Sequence, residues 1–203
     1  VLAAPLLAAL AVLVLVVDRH VPLVGLPRVG RHGHPFTLWK FRTMRPGTGE
    51  PAGFTVRDDE RVTTLGARLR RLRLDELPQL WNVVIGDMAL LGPRPESPEY
   101  VEADSAAWAA VLATPPGIAG PTQVVVHAWE AHVTSVRTYR DDVLPRKLEV
   151  DAWYVASASP AIDFDVARSV LRTVVRPDRP TPVHDRLARE LPETLAAIDV
   201  ERP

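Results

Sequence analysis

Two adjacent carboxylates, Asp75 and Glu76, lie in the stretch Leu74-Asp75-Glu76-Leu77-Pro78-Gln79-Leu80-Trp81-Asn82, directly after an arginine run at Arg68, Arg70, Arg71 and Arg73. Ten residues past Asn82 comes Gly92-Pro93-Arg94-Pro95-Glu96. Carboxylates beside several arginines point to phosphate chemistry with a divalent metal to help. An ionised aspartate can attack phosphorus and form an acyl-phosphate. Consecutive residues on a helix point about 100° apart, so one acid can attack while its neighbour holds an ion. Mg²⁺ suits such a site, because it takes few protein oxygens and lets substrate phosphates complete its shell. Arg94, held between two prolines, is a pre-oriented fork for phosphate oxygens, and Lys40 can supply a second positive charge.

Each of these residues also has an ordinary reading. Asp75 can be a helix N-cap, with Glu76 merely compensating the dipole. Arg94 can pair with Glu96, and Lys40 and the arginine run can be solvated. His20, His32, His34, His127, His132 and His184 show no metal-ligand spacing, although His32 and His34 flank a glycine and suit a surface or headgroup contact. No glycine-rich phosphate cradle, dinucleotide fingerprint or serine elbow is present. The absence of cysteine excludes disulfides, thiolate metal sites and cysteine nucleophiles, and it fits a protein on the cytoplasmic side.

The elements that must position these residues are short. Twenty prolines in 203 residues argue for a loop-rich chain, and no internal repeat is visible. Val1 to Val17 is uncharged and rich in Leu, Ala and Val. As a helix it would be roughly 25 Å long, short of a bilayer core of about 30 Å. Pro5 removes a backbone donor and bends a helix. A re-entrant or shallow membrane helix kinked at Pro5 fits this length best, with a spanning helix and a buried soluble helix as alternatives. A signal peptide lacks its basic leader and cleavage site. Residues 18–73 then carry 12 Lys and Arg against 5 acids, whereas the whole chain has a net charge of −1. A basic segment beside an apolar one suits an anionic membrane face.

Residues 21–35 read as loop and turn, and Phe36–Arg42 as a strand. Thr63 or Thr64 should cap a helix running to about Arg73, with Leu65, Leu69 and Leu72 on one face. A second helix should start near Asp75, tolerate Pro78 in its first turn and end at Gly86-Asp87. Residues 92–96 and Pro115-Pro116-Gly117 are turns, followed by a strand at Gln123–Val126. A long helix at about Arg137–Ala156 carries Asp151. A last helix covers about residues 161–174. The expected fold is mostly α with short β segments: a membrane-associated α/β-type domain with an N-terminal re-entrant helix. Its parts are a membrane helix at 1–20, a catalytic domain at 21–176 and a loosely packed tail, with at most one short helix, at 177–203.

In order and spacing, these motifs resemble the bacterial sugar transferase family, the small monotopic polyprenyl-phosphate phosphoglycosyltransferases. The resemblance is carried by Arg28-Val29-Gly30 with Gly33 and Phe36, and by Lys40-Phe41-Arg42-Thr43-Met44. Arg61-Val62-Thr63 with Gly66, Leu69 and Arg70 leads into Leu74–Asn82, and Gly86-Asp87-Met88 and Gly92–Glu96 follow. Pro116-Gly117-Ile118 with Gly120 and Gln123 matches more loosely. Asp151, Trp153, Tyr154, Ser159 and Asp163 match the closing helices, so the likeness covers residues 5–174.

The resemblance implies transfer of a sugar-1-phosphate from a UDP-sugar to a membrane polyprenyl (undecaprenyl) phosphate, with release of UMP, at the start of exopolysaccharide, capsule, O-antigen or glycoprotein glycan assembly. It implies Asp75 as nucleophile and Glu76 as a Mg²⁺ ligand. Lys40, Arg42, Arg70, Arg94 and Asp151 would be substrate or phosphate-binding positions, and Pro5 the bend of a re-entrant helix. The implied location is the cytoplasmic face of the bacterial inner membrane, as a monotopic protein whose oligomeric state is open. The alternative is a non-catalytic membrane scaffold in a polysaccharide assembly complex. A nucleic-acid partner is not expected, since the arginine run has no interleaved aromatics. Ala89, Pro115, Ala119 and Val126-His127 depart from the family pattern, and these departures bear on which sugar is moved.

Overall fold

Leu, Ala and Val fill Ala4–Val17, and they form helix α1. The computed structural model describes residues 3–47, 59–102, 104–125, 135–176 and 179–199. Helix α1 is about 21 Å long at ~1.5 Å per residue. No helix among the described residues is long and apolar enough to cross a membrane. Pro5 sits in the first turn, where its missing N–H costs no helical bond. A kink at Pro5 would act on residues preceding Ala4, which lie at the edge of the described residues. One stripe of α1 (Leu7, Leu10, Ala11 and Val14) packs on Phe41, Leu65, Leu69, Leu74 and Leu77. The other faces leave Leu6, Val12, Leu13, Leu15, Val16 and Val17 exposed.

The segment 21–35, expected as a loop, contains strand β1 (Leu23–Val29) and a 3-10 turn at Arg31–Gly33. β1 pairs antiparallel with β2 (Pro35–Phe41), Leu23 opposite Phe41 and Val29 opposite Pro35. Pro27 and Gly25 disguise β1 in the sequence. A two-stranded ribbon has only edge strands, and an edge tolerates proline.

Helix α2 (Thr64–Arg71) starts as expected at Thr63, whose Oγ1 accepts from the Gly66 amide at 2.8 Å. Thr63 Oγ1 also donates to Asp18 Oδ2 at 2.8 Å, fastening α2 to the end of α1. The second helix differs from expectation. Leu74–Glu76 is a 3-10 turn, and α3 (Gln79–Ile85) begins only after Pro78. Pro78 has no N–H to bond the Leu74 carbonyl, so the Leu77 amide takes it instead at 3.3 Å. Asp75 is therefore not an N-cap; Arg73, in the left-handed region at φ 55, holds that place. Gly86 ends α3 at φ 90, a conformation that glycine adopts without strain.

Asn82 of α3 is fully buried and ties this helix to β2. Its Oδ1 accepts from the Trp39 amide at 3.2 Å, and its Nδ2 donates to the Thr37 carbonyl at 2.8 Å. These are β2 groups on the edge away from β1. Asn82→Ala would orphan both, so a loss of ~2–4 kcal/mol in urea unfolding is expected; a loss under ~0.5 kcal/mol would show that water replaces the side chain.

Strand β3 (Ala89–Leu91) and strand β4 (Gly117–Ala119) form a second, parallel pair. A Cβ on Gly117 would lie 2.1 Å from the Gly92 amide nitrogen, so only glycine permits this approach. Helix α4 (Ala106–Leu112) lies between them in sequence. The strand expected at Gln123–Val126 is instead helix α5 (Pro121–Val125), entirely buried; Val126 lies outside the described residues.

The long helix is present as a helical turn at Val136–Thr138, a π-turn at Tyr139–Val143 and α6 (Leu144–Ser157). Pro145 cannot donate to Asp141 and its ring crowds that carbonyl, which widens the preceding turn. Helix α7 (Pro160–Val175) follows, capped by Ser159. Residues 177–203, expected as a loose tail, carry α8 (Pro182–Glu190) and α9 (Pro192–Asp199). Val183, Leu187, Leu195 and Ile198 are buried in the main core with Val150, Trp153, Ile162 and Val166. Their prolines open helices rather than break them: Thr181 caps α8, with Pro182 in its first turn. The fold is thus mostly helical with short strands.

Candidate active site

Leu74 and Leu77 pack on the cluster at α1, and the two buried acids lie between them in the same 3-10 turn. Asp75 and Glu76 are both buried, at 7% and 8% exposure. Their surroundings differ. Glu76 Oε1 receives Lys40 Nζ of β2 at 2.9 Å and Arg94 NH1 and NH2 at 3.3 and 3.4 Å. Glu76 Oε2 faces Arg73 NH1 at 3.9 Å, beyond hydrogen-bond reach. Burial is the largest single influence on Glu76 and opposes its ionisation. Lys40, then Arg94 and Arg73, outweigh it and hold the carboxyl far below the ordinary range.

Asp75 has no hydrogen bond or ion pair among the described residues. Burial is the largest influence and raises its carboxyl above the ordinary range, with Glu76 adding to the rise. Lys40, Arg70 and Arg94 act against it from a distance. Two neighbouring carboxylates are thereby separated: one locked and ionised, the other uncommitted and more basic. That is the division of labour expected between a structural anion and a nucleophile.

The other sequence-derived positions fall in three places. Arg70 Nε donates to Thr43 Oγ1 at 2.8 Å and faces Asp75 electrostatically. Arg42 turns away, its Nε donating to the Val21 carbonyl at 3.0 Å, just before β1. Asp151 is buried behind the Arg94 turn, accepting from Thr122 Oγ1 at 3.0 Å and from the Arg94 backbone amide. Arg73 joins the site without having been singled out. Its NH2 also donates to the Gln123 carbonyl at 3.2 Å, which links the acid pair to α5. A left-handed non-glycine residue next to the acids is the structural signal, and nothing in the residue types announces it. His32 and His34 are exposed, and His127 and His132 lie outside the described residues. Among the described residues, no three His, Asp or Glu side chains gather as a metal cluster.

The sequence matches the family described as "Bacterial sugar transferase" over residues 1–177. The chain belongs to the bacterial sugar transferase family. It is 36% identical over 151 residues to a protein named "Uncharacterized sugar transferase EpsL" of Bacillus subtilis (strain 168), covering 73% of this chain and 67% of that one. It is 34% identical over 175 residues to the UDP-N-acetylgalactosamine-undecaprenyl-phosphate N-acetylgalactosaminephosphotransferase of Aeromonas hydrophila, covering 84% of this chain and 39% of the relative. It is 33% identical over 171 residues to the undecaprenyl-phosphate galactose phosphotransferase of Salmonella typhimurium (strain LT2), covering 74% and 33%. The chain spans about two thirds of the first relative and well under half of the other two.

In this member of the family, burial of Asp151 is the largest influence on its carboxyl, which is pushed up to about 7 from 3.8 despite Lys147 and Thr122 acting against the rise. A carboxyl raised by folding stabilises the fold fully below its unfolded value, and that stability is lost as pH rises through the folded value. The window here runs from about pH 4 to about pH 7. Asp151→Asn keeps an acceptor for the Arg94 amide and cannot ionise. Its stability in urea unfolding is expected to gain on the parent as pH rises from 5 to 8, by at most ~2.5 kcal/mol. Parallel curves would show that Asp151 does not titrate in the fold.

Proposed function

We propose that this protein transfers a sugar-1-phosphate from a UDP-sugar to polyprenyl phosphate, undecaprenyl phosphate in bacteria, and releases UMP. The observation that carries the reading is the contrast between Asp75, buried and uncommitted, and Glu76, held by Lys40, Arg94 and Arg73. In the first step an Asp75 carboxylate oxygen attacks the sugar-bearing phosphorus, a new P–O bond forms, and the bond to UMP breaks. In the second, a phosphate oxygen of the lipid attacks the aspartyl-phosphosugar and frees Asp75. Lys40 and Arg94, both held on Glu76 next to Asp75, would stabilise charge that develops on the transferred phosphoryl group, and Arg70 adds positive potential beside Asp75.

Mg²⁺ fits the donor set, since it needs only one or two carboxylates when substrate phosphates complete its shell. Glu76, through Oε2, would hold it, and it would neutralise charge on the diphosphate. Relatives named for undecaprenyl-phosphate transfer support the lipid acceptor. Those names specify N-acetylgalactosamine in one case and galactose in another, so the sugar is a matter for experiment.

The lipid acceptor requires a site at the membrane. Helix α1, apolar on every side and docked by one stripe under the acid pair, supports a re-entrant helix on the cytoplasmic face of the bacterial inner membrane. The pathway served would be the initiation of exopolysaccharide, capsule, O-antigen or glycoprotein glycan assembly. A panel of UDP-sugars with undecaprenyl phosphate, scored by UMP release, tests the reading. Multiple-turnover release that needs one donor, the lipid and Mg²⁺ together is expected, with no more than one UMP per protein when the lipid is left out. No release with any donor would favour a non-catalytic scaffold.

A further inference from the structure

Glu96, Tyr139 and Lys147 form a buried polar triad that the proposed chemistry does not use. Lys147 Nζ ion-pairs with Glu96 Oε1 and donates to Tyr139 Oη at 2.8 Å, while Tyr139 Oη donates to the same Glu96 oxygen at 2.9 Å. Lys147 is 4% exposed and Tyr139 2%. A lysine is almost never so buried unless it is paired, and a buried pair gains little net stability over an apolar substitute. Stability alone therefore does not account for it.

Its position in the fold suggests another role. Glu96 closes the Gly92-Pro93-Arg94-Pro95 turn, and Lys147 lies one turn of α6 before Asp151. The same helix thus grips the turn twice, by Lys147 on the Glu96 carboxylate and by Asp151 on the Arg94 amide. The backbone is pinned around these points. The Val29 amide donates to the Glu96 carbonyl at 3.0 Å, Gly117 to Pro93 at 2.8 Å, and Gly92 to Ala119 at 3.0 Å.

We propose that Lys147 is a positioning residue for Arg94: acting through Glu96, it fixes the proline turn so that the Arg94 guanidinium stands over Glu76 and the transferred phosphoryl group. The role rests on the phosphoryl-transfer reading of the site. Misplacing a charged donor by about 1 Å can cost on the order of 10²-fold in rate, so the expected effect is kinetic.

The test is a double-mutant cycle on single-turnover UMP release, using Lys147→Met, Arg94→Ala and both together. Lys147→Met alone should slow the step by about 10- to 100-fold. On the Arg94→Ala background it should slow it no further, although the melting temperature falls by the same amount in both. Multiplying losses, or a fall in melting temperature with an unchanged rate, would overturn the proposal. If Lys147→Met does not fold, Glu96→Gln with Lys147→Met leaves no buried charge orphaned and replaces it in the cycle. A second readout needs no turnover: protection of the Arg94 amide against hydrogen exchange. Loss of protection confined to residues 92–97 in the variant supports the clamp, and unchanged protection overturns it. If the parent protein releases no UMP from any donor, the transferase reading fails, and the exchange result still decides the clamp.

Discussion

Asp75→Asn should reduce UMP release by about 10⁴-fold or more, the scale of losing a covalent nucleophile. The variant should fold as well as the parent. Burial raises the Asp75 carboxyl, so at neutral pH its charge works against folding and a neutral isostere relieves that cost. An unchanged or slightly higher melting temperature is therefore expected beside the loss of activity. A collapse in both would point to a structural carboxylate instead. The same shift sets the pH dependence in the parent. Attack needs the ionised form, so the rate of the first step should fall on acidification at a pH above the usual carboxylate range.

Glu76→Gln should fail in a different way. Glu76 is the shared anion of Lys40, Arg94 and Arg73. Removing the charge leaves three cations facing one another. Breaking a fully buried pair costs ~3–5 kcal/mol, and partial solvent access at Lys40 and Arg94 puts this case at the lower end, about 3 kcal/mol. The sign of the pH dependence follows from the depressed carboxyl. A group lowered by folding contributes stability above its unfolded value, 4.5 for glutamate, and loses it as pH falls below. The gap between parent and variant in urea unfolding should thus be full at pH 7 and shrink as pH falls below about 4.5. Turnover should also be lost at temperatures where the variant stays folded, and excess Mg²⁺ should not restore it. Full activity together with full stability would remove Glu76 from the site.

Legibility in the sequence followed locality. Thr63 before a leucine face, Gly86 after α3 and Ser159-Pro160 before α7 each carry their own signal, and each marks a boundary in the fold. Strand β1 was hidden because Pro27 and Gly25 are loop residues by type, acceptable only in a ribbon without a central strand. Helix α5 was hidden because Val124 and Val125 favour strands, and five residues are too few to show a helical period. Its burial against α6 and α7 overrides that preference. Helices α8 and α9 were hidden because Pro182 and Pro192 look like breakers until the caps and the core beneath them are known.

The site shows the same limit. Lys40, Asp75, Glu76 and Arg94 are brought together, and their spacing and chemistry could be read from the chain. Arg42 and Asp151 carried no hint of direction, and one turns to Val21 while the other is buried behind Arg94. Arg73 looked like one more solvated arginine of a run. Only its left-handed backbone, set by the turn into Leu74–Glu76, brings it to Glu76 and Gln123.

The central claim, a covalent bond from phosphorus to Asp75, has a direct measurement. The protein is mixed with a UDP-sugar and Mg²⁺ without polyprenyl phosphate, quenched in acid, digested and analysed by mass spectrometry. A single burst of UMP close to one per protein is expected, with the mass of one sugar-phosphate added to the peptide containing Asp75 and lost on addition of the lipid. A UMP burst without an adduct, or an adduct on any other residue, would contradict it.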